Sequence, residues 1–309
     1  MITVIICSHN PNTEFLNRAI NALKIQTLPK DHWELLLVDN ASKNYLREVY
    51  NLSWHPRGKH VHEANLGLTH ARLRGISEAE GSTLIFVDDD NVLEPNYLEC
   101  ALNISKSHSF LGAWGGSCIA EYQKKPPEWF NQFESNLAVR KIESASWSNQ
   151  YFNYASTPVG AGMCIRRTVA EAYRLKLSND VYGLSLDRKG ASLMSCGDHD
   201  MAWTSIDLGL GVGVFPELNL IHIIPQERTD FDYIIKLLES DACSSTLLRL
   251  RMNLDVKCPS LKKKYKLTHP LALSIRKYFS SSDKNIKYQV KQAKSKGIRR
   301  AFDIWRNRI

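Results

Sequence analysis

The chain has 309 residues, of which 43% are hydrophobic and 23% are charged, and its formal net charge at pH 7 is +8. This composition is that of a globular protein large enough to bury a core, and it excludes a wholly disordered chain, a collagen and a transmembrane bundle. A membrane-spanning helix is not expected either, because no uninterrupted apolar run reaches about 18 residues.

The start of the chain and its cysteines predict the cellular compartment. Residues 3–7 form an apolar run typical of a strand, whereas a signal peptide has a basic start and a small-residue cleavage site. The seven cysteines are an odd number and include no C-x-x-C pair. We therefore expect reduced thiols and a cytoplasmic protein.

Strands and helices alternate over the first hundred residues. Apolar runs predict strands, and apolar residues at helical spacing predict helices that begin near Thr13, Gly67 and Pro95. The predicted strands are residues 3–8, 33–38, 59–63 and 84–87. We expect Thr13 to cap its helix and Pro95 to lie in the first turn of the next one. The alternation predicts an α/β fold with a parallel sheet and helices on both faces.

Polar residues follow three of the predicted strands. They are residues 8–10, Asp39 and residues 88–90. Ligands of parallel sheets bind beyond the carboxyl ends of the strands, so these side chains are expected to meet at one binding site.

Three adjacent carboxylates, Asp88, Asp89 and Asp90, come directly after a purely apolar strand. Carboxylates this close repel one another, and burying them is costly unless a cation neutralises them. Mg²⁺ or Mn²⁺ prefers such oxygen ligands and bridges phosphates. The motif therefore predicts a divalent metal with a nucleotide, and the alternative is an acidic cap for the following helix.

The distribution of charge divides the chain near residue 230. Residues 231–309 contain 19 basic and 6 acidic residues, whereas residues 1–230 contain 21 basic and 26 acidic ones. Between about 110 and 225, short strands and loops are expected, with a late strand from Leu218 to Ile224; a helical apolar stripe follows Asp230. We predict a catalytic or binding domain at 1–230 and a basic helical extension at 231–309.

The end of the extension has the pattern of an amphipathic helix. Before this helix, the extension contains a basic cluster, Lys262–Lys264, and a predicted linker, Ser280–Ser282. The apolar residues near one face are Ile286, Val290, Ala293, Ala301, Trp305 and Ile309, and the basic residues beside them are Lys287, Lys291, Lys294, Arg299, Arg300 and Arg306. This pattern fits a helix lying on an anionic membrane, and the alternative is a helix docked on the rest of the protein.

Four segments in chain order resemble family 2 glycosyltransferases of the GT-A fold. They are residues 3–10, 34–42, 65–72 and 86–91, and the last contains the D-x-D motif. The resemblance covers roughly residues 1–100, with weaker matches to about 228. It implies inverting transfer of a sugar from a nucleotide-diphosphate sugar, most often a UDP-sugar, to a hydroxyl of a glycan or lipid-linked saccharide, as in cell-surface polysaccharide synthesis.

The resemblance also implies roles for single residues. Asp39 would accept hydrogen bonds from the nucleotide base, and Arg72 would lie near the base or the diphosphate. Asp89 would contact the ribose or the metal, and Asp90 would ligate Mn²⁺ or Mg²⁺. The other residues assigned to the nucleotide-sugar site are Ser8, Asn10, Asp88 and Arg228.

A second polar segment, residues 195–203, resembles the E-D-x-x-L region that supplies the family's catalytic base. If Asp198 aligns with the base, Gly197 occupies the position of the motif's glutamate; an alternative alignment makes Asp200 the base. A carboxylate there can take the proton of the acceptor hydroxyl. The alternative role is a cap for the following helix.

The remaining assignments concern the metal and the acceptor. His222 would be an extra metal ligand beside the carboxylates, as in some relatives, or else a structural histidine. Trp114, Gly116 and Gly162 are expected to shape the acceptor side, although core packing is the default role of tryptophan.

Three other functions remain open. A sugar nucleotidyltransferase would need a glycine-rich phosphate loop after the first strand, and residues 8–12 contain no glycine. A nucleic-acid-binding protein would need a broad basic face, whereas the basic excess is confined to the tail, so no nucleic-acid partner is expected. The departure at Gly197 leaves open a relative that binds nucleotide sugar without turnover. If the tail binds lipid, the protein would be peripheral on the inner face of the membrane.

Overall fold

A computed structural model describes residues 1–259 and 283–307. The strands are β1 (Ile2–Ser8), β2 (Trp33–Asn40), β3 (Gly58–Glu63), β4 (Thr83–Asp88), β5 (Asn91–Leu93), β6 (Leu111–Tyr122), β7 (Ser146–Ser148), β8 (Cys164–Arg166) and β9 (Gly211–Ile224). The helices are α1 (Thr13–Lys24), α2 (Leu46–Val49), α3 (Leu68–Glu78), α4 (Tyr97–Ser107), α5 (Arg167–Leu177), α6 (Gly197–Asp207), α7 (Phe231–Arg251) and α8 (Asp283–Asn307). The predicted Lys262–Lys264 cluster, the Ser280–Ser282 linker and Ile309 lie outside the described residues.

The strands form one mixed sheet in the order β3-β2-β1-β4-β8-β6-β9-β5, and β7 also pairs with β9. The long ladders are parallel: β3-β2-β1-β4 on one side, and β6 with β9 on the other. The short strands β5, β7 and β8 pair antiparallel to their neighbours. The predicted α/β fold, with its mostly parallel sheet flanked by helices and a C-terminal helix, is confirmed.

Two of the predicted helix starts need correction. Asn12, and not Thr13, caps α1, because its side-chain oxygen accepts two backbone N–H groups of the first turn at 2.9 and 3.3 Å. Thr13 already belongs to the helix. Pro95 lies just before Asn96, the cap of α4, and therefore precedes the first turn. Both shifts are one or two residues and leave the sheet topology unchanged.

Each face of the sheet is covered by its own apolar core. One core contains Leu16 of α1 and Leu98 of α4 packed on the sheet. The other contains Ile76, Met201 and Leu247, from α3, α6 and α7. Because both faces are covered, the parallel strands are apolar along nearly their whole length, as sequence runs such as that of β2 show.

The C-terminal helix α8 packs on α7 and on the body of the protein. At Gly297, an added Cβ atom would lie 2.0 Å from the carbonyl oxygen of Glu239, so only glycine permits this close approach of the two helices. Ile286, Ala293 and Ala301 of the predicted apolar face are buried in this packing. Among the described residues, no helix has the length and apolar character needed to cross a membrane.

Candidate active site

A cavity of about 960 Å³ opens at the carboxyl ends of β1 and β4. The two strands are parallel neighbours with Cys7 opposite Asp88, so the residues that follow them emerge side by side. Eight of the residues proposed from the sequence line this cavity: Ser8, Arg72, Asp88, Asp89, Asp90, Asp198, His222 and Arg228. The structure therefore gathers in one place residues that are up to 220 positions apart in the chain.

The acidic triplet after β4 is divided between two sets of partners. Asp89 accepts a hydrogen bond from the Ser8 hydroxyl at 2.5 Å. Asp90 is buried, and its Oδ2 atom lies 2.9 Å from a guanidinium nitrogen of Arg228 and 3.5 Å from Nε2 of His222. Asp89 and Asp90 therefore lie in different environments despite their adjacency.

The pKa values of these groups follow from burial and from their partners. Burial and the charge of Asp90 raise the pKa of Asp89 to about 7. Burial also raises the pKa of Asp90, but the cationic His222 and Arg228 lower it by more, so the net pKa lies well below the usual range. Burial lowers the pKa of His222, and the Asp90 carboxylate raises it by more, to about 10. In the absence of a metal ion, Asp90 and His222 are thus an ion pair at neutral pH, and His222 has to release its proton before its nitrogen can ligate a cation.

The fit of these residues to a divalent cation rests on Asp90 and His222. In the part of the chain described, no group of three or more His, Cys, Asp or Glu side chains surrounds a common point. Asp90 and His222 nevertheless converge to 3.5 Å and offer one oxygen and one nitrogen, a donor pair that suits Mn²⁺. Arg228 lies between them, 2.9 and 3.3 Å from the two donor atoms. The pair fits a cation whose other ligands come from a diphosphate.

A buried ion pair also lines the cavity. Arg72 donates to Oδ2 of Asp187 at 2.9 Å, and the Thr69 hydroxyl donates to the same oxygen at 3.0 Å. The other oxygen of Asp187 accepts the backbone N–H of Gly197 at 3.2 Å. Burial raises the pKa of Asp187, and Arg72 partly offsets this rise. Sequence reasoning missed Asp187 because it lies in a loop outside every motif.

The two carboxylates proposed as the base lie in different surroundings. Asp198 lines the cavity, where the backbone N–H groups of Gly160 and His199 donate to its two oxygens at 2.9 and 2.7 Å. Asp200 is only 2% exposed and is not among the cavity-lining residues. Its oxygens lie 3.0 Å from Lys176 and 2.6 Å from Arg251. Asp198 is open to a substrate, whereas Asp200 is enclosed in an ion-pair network.

Two of the residues proposed for the nucleotide lie beside the cavity and outside its lining. Both oxygens of Asp39 accept backbone N–H groups of the next loop at 3.0 Å, from Ser42 and Leu46. Asn10 adopts a left-handed φ of 48°, and its side chain accepts the N–H of Lys43 at 2.9 Å. Both side chains therefore shape the loop that follows β2.

The residues proposed for the acceptor side have packing roles instead. Trp114 is fully buried in the core and absent from the cavity lining. An added Cβ atom at Gly116 would lie 1.9 Å from the carbonyl oxygen of Leu218. Gly162 has a φ of +71°, and its carbonyl accepts the Tyr97 hydroxyl at 2.7 Å. These features belong to the core and to the strand connections.

Exposed aromatic rings do occur beside Asp198, at positions that sequence reasoning missed. Tyr154 and His199 line the cavity, and the Tyr154 side chain is 46% exposed. The His199 ring stacks on Trp203 at a centroid distance of 5.4 Å, and Tyr154 meets His199 edge-on at 5.2 Å. The sequence feature that points to His199 is that it directly follows Asp198.

Comparisons with known proteins agree with this fold. The family model described as "Glycosyl transferase family 2" matches residues 3–173. A putative glycosyltransferase, EpsH of Bacillus subtilis, is 25% identical over 189 residues, which are 56% of this chain and 49% of the relative. An uncharacterized glycosyltransferase of Nostoc, alr2836, is 29% identical over 173 residues, or 55% and 52% of the two chains. The chain thus spans about half the length of these curated relatives.

Solved structures share the fold at low sequence identity. Staphylococcus aureus TarS 1-349 in complex with UDP-GlcNAc has a TM-score of 0.52 and 14% identity, covering 99% of this chain and 91% of TarS. GalNAc-T7 with UDP, GalNAc and Mn²⁺ has a TM-score of 0.53 and 17% identity, covering 82% of this chain and 50% of that one. These likenesses identify the GT-A fold.

Proposed function

The chain belongs to glycosyl transferase family 2, and from this membership we propose that it transfers a sugar from a nucleoside-diphosphate sugar to a hydroxyl group of an acceptor. One observation carries the proposal: the cavity at the carboxyl ends of β1 and β4 is lined by both the acidic triplet and Asp198. A leaving diphosphate and an attacking hydroxyl need such groups on opposite sides of the sugar.

The donor that we propose is a UDP-sugar. Six lysine and arginine side chains line the cavity, and we assign four of them to the diphosphate: Arg72, Arg188, Lys189 and Arg228. The structure of TarS with UDP-GlcNAc, which shares the fold, supports this choice. We retain Ser8, Asp88 and Asp89 as nucleotide-sugar contacts. Asp39 and Asn10 would act at the edge of the site, where their loop meets the base.

We also propose that transfer depends on Mn²⁺ or Mg²⁺, held by Asp90 and His222 with Asp89 nearby. When bound, the ion would supply Lewis-acid neutralisation of the diphosphate leaving group. Arg228 would stay paired with the Asp90 carboxylate, and the Ser8 hydroxyl would fix the orientation of Asp89. Mn²⁺ in the GalNAc-T7 structure supports a divalent ion in this fold.

Asp198 would be the general base. Two backbone N–H groups fix its carboxylate, and each oxygen retains a lone pair for the acceptor hydroxyl. The hydroxyl would attack the anomeric carbon on the side opposite the diphosphate, and the anomeric configuration would invert. Tyr154 and His199 would pack against the acceptor, which we propose to be a glycan or lipid-linked saccharide of cell-surface polysaccharide synthesis.

A panel of nucleotide sugars tests the proposal. Release of nucleoside diphosphate is measured with Mn²⁺, Mg²⁺ or EDTA, for the wild-type protein and for Asp90→Asn. We expect one donor to turn over only with a divalent ion, and the variant to lose most of this activity. Full activity in EDTA would refute the metal role. Binding of UDP without turnover of any donor would indicate a non-catalytic relative.

We further propose that the protein is cytoplasmic and peripheral on the membrane, with residues 1–230 as the catalytic domain and 231–309 as the basic extension. The apolar face of α8 is buried, whereas Lys287 and Lys291 are exposed, so attraction to an anionic surface would be electrostatic. Co-sedimentation with vesicles containing phosphatidylglycerol should fall in high salt and in Lys287→Glu/Lys291→Glu. Equal sedimentation with neutral phosphatidylcholine vesicles would contradict this proposal.

A further inference from the structure

One buried carboxylate, Asp187, connects three segments around the cavity. It is 5% exposed and lies in the loop that precedes α6. One oxygen accepts from Thr69 and Arg72 of α3, and the other accepts the backbone N–H of Gly197, the first residue of α6. The next residue along α6 is Asp198. Asp187 therefore joins α3 to the turn that carries the proposed base.

The space that Asp187 fills is the space that a side chain at residue 197 would need. An added Cβ atom at Gly197 would lie 2.2 Å from Oδ2, 2.4 Å from Cγ and 2.6 Å from Oδ1 of Asp187. With Asp198 aligned as the base, residue 197 is also where the E-D-x-x-L motif has its glutamate. Asp187 can therefore place its carboxylate in this space because residue 197 has no side chain.

Asp187 also determines which carboxylate Arg72 pairs with. A Cβ atom built at Gly160 would lie 2.7 Å from a terminal nitrogen of Arg72 and 3.4 Å from Oδ2 of Asp198, so the guanidinium and the Asp198 carboxylate flank the same glycine. A buried guanidinium that loses its carboxylate partner is left with an uncompensated charge, which favours pairing with another carboxylate. Asp88 and Asp198 are the other carboxylates whose charges act on Arg72, so without Asp187 the guanidinium is free to pair with Asp198 and occupy the lone pairs that a base needs.

We infer that Asp187 is a positioning residue for catalysis: it anchors the first turn of α6 and holds Arg72 away from Asp198. The inference rests on the proposed function, in which Asp198 is the base. In this chain, the carboxylate that lies beside residue 197 therefore comes from the loop before α6. No covalent step involves Asp187.

The first test compares Asp187→Asn with a matched control. UDP affinity is measured by calorimetry, and turnover is measured with the donor found in the panel. We expect Asp187→Asn to lower kcat about 100-fold, the size of loss that a small misplacement of a catalytic group produces, and to weaken UDP binding by a smaller factor, because Arg188, Lys189 and Arg228 still line the cavity. Asp180→Asn is the control, because Asp180 pairs with Arg251 in the same part of the chain. It should retain kcat. A folded Asp187→Asn protein with wild-type kcat would overturn the inference.

The second test moves the carboxylate from residue 187 to residue 197. Gly197→Asp alone places two carboxylates in one space and should lose activity. Asp187→Gly alone should lose it too. The double variant Asp187→Gly/Gly197→Asp should recover kcat to within about tenfold of wild type, because the carboxylate again reaches Arg72. If the double variant folds and binds UDP but is no more active than Asp187→Gly, or if it does not fold, the inference is wrong. An active Asp198→Asn protein would instead refute the proposed base.

Discussion

Replacing the two neighbouring carboxylates of α6 one at a time should separate catalysis from stability. Asp198→Asn removes a base that accepts hydrogen bonds from two backbone N–H groups, and the amide oxygen can still accept one of them. Its kcat should fall by about 10²- to 10⁴-fold, the usual contribution of a general base. Its free energy of unfolding should stay within about 0.5 kcal/mol of wild type, as for a substitution that leaves the core intact.

Asp200→Asn should have the opposite effect. The carboxylate is 2% exposed, and removing it leaves the cations of Lys176 and Arg251 without this partner. Breaking a buried ion pair costs about 3–5 kcal/mol. Lys176 is partly exposed and keeps Asp207, and Arg251 keeps Asp180, so we expect the lower end, about 3 kcal/mol.

Urea denaturation and steady-state kinetics on the same preparations check both expectations. We expect a lower urea midpoint with nearly unchanged kcat for Asp200→Asn, and an unchanged midpoint with much lower kcat for Asp198→Asn. Thr204→Ser, a conservative change on the same helix, controls for differences that come from producing and purifying a variant. If Asp200→Asn lost turnover while remaining as stable as wild type, the assignment of the base to Asp198 would be wrong.

Three other predictions concern separate parts of the molecule. Burial, aided by Lys30, lowers the pKa of His55 to about 4, so the stability that neutral His55 contributes is complete above pH 6.5 and is lost as the pH falls towards 4. In His55→Gln, the urea midpoint should therefore depend less on pH between 6.5 and 4 than it does in the wild type. An unchanged pH dependence of the midpoint would contradict this. Gly297→Ala should lower the free energy of unfolding by about 1–3 kcal/mol through overpacking against α7, whereas the exposed Gln292→Ala should not; equal midpoints would contradict this. Tyr154→Ala should raise the acceptor KM at least about fivefold, as expected for loss of roughly 1 kcal/mol of ring packing, while Tyr154→Phe retains it; an unchanged KM would exclude acceptor contact.

The first hundred residues could be predicted well because their signals are local. Each strand is an apolar run, and parallel pairing brings the ends of β1 and β4 together whatever the loops do. The cavity position of Asp88–Asp90 follows from that topology alone. The position of Arg72 follows from α3 and the resemblance. His222 required more, because β9 reaches the acidic triplet only through its antiparallel pairing with β5, which sequence periodicity does not indicate.

The errors and omissions concern contacts between distant segments. Trp114 looked like an acceptor residue because tryptophan suits sugar rings, but β6 lies inside the sheet and both of its faces are covered. Asp187 and Tyr154 lie in irregular segments, where neither the spacing of apolar residues nor a sequence motif predicts where a side chain lies in the fold. Asp200 shares a helix with Asp198 but is two residues further on, about 200° around the axis, and therefore points away from the cavity.

The packing of α8 changes how the membrane proposal can be tested. Lys294 and Ile298 of α8 line the same cavity as Asp198, and Gly297 between them makes the close contact with α7. Deleting residues 270–309 would therefore remove part of the cavity wall and expose to water apolar residues of α7, such as Leu238 and Leu247, that share apolar cores with Ile286 and Ala301. Such a deletion would alter turnover, solubility and vesicle binding together, and no one cause could be assigned. Charge reversal at the exposed Lys287 and Lys291, which do not line the cavity, keeps Lys294, Ile298 and the buried apolar residues in place, so it separates a role of α8 at the membrane from its role in the wall of the site.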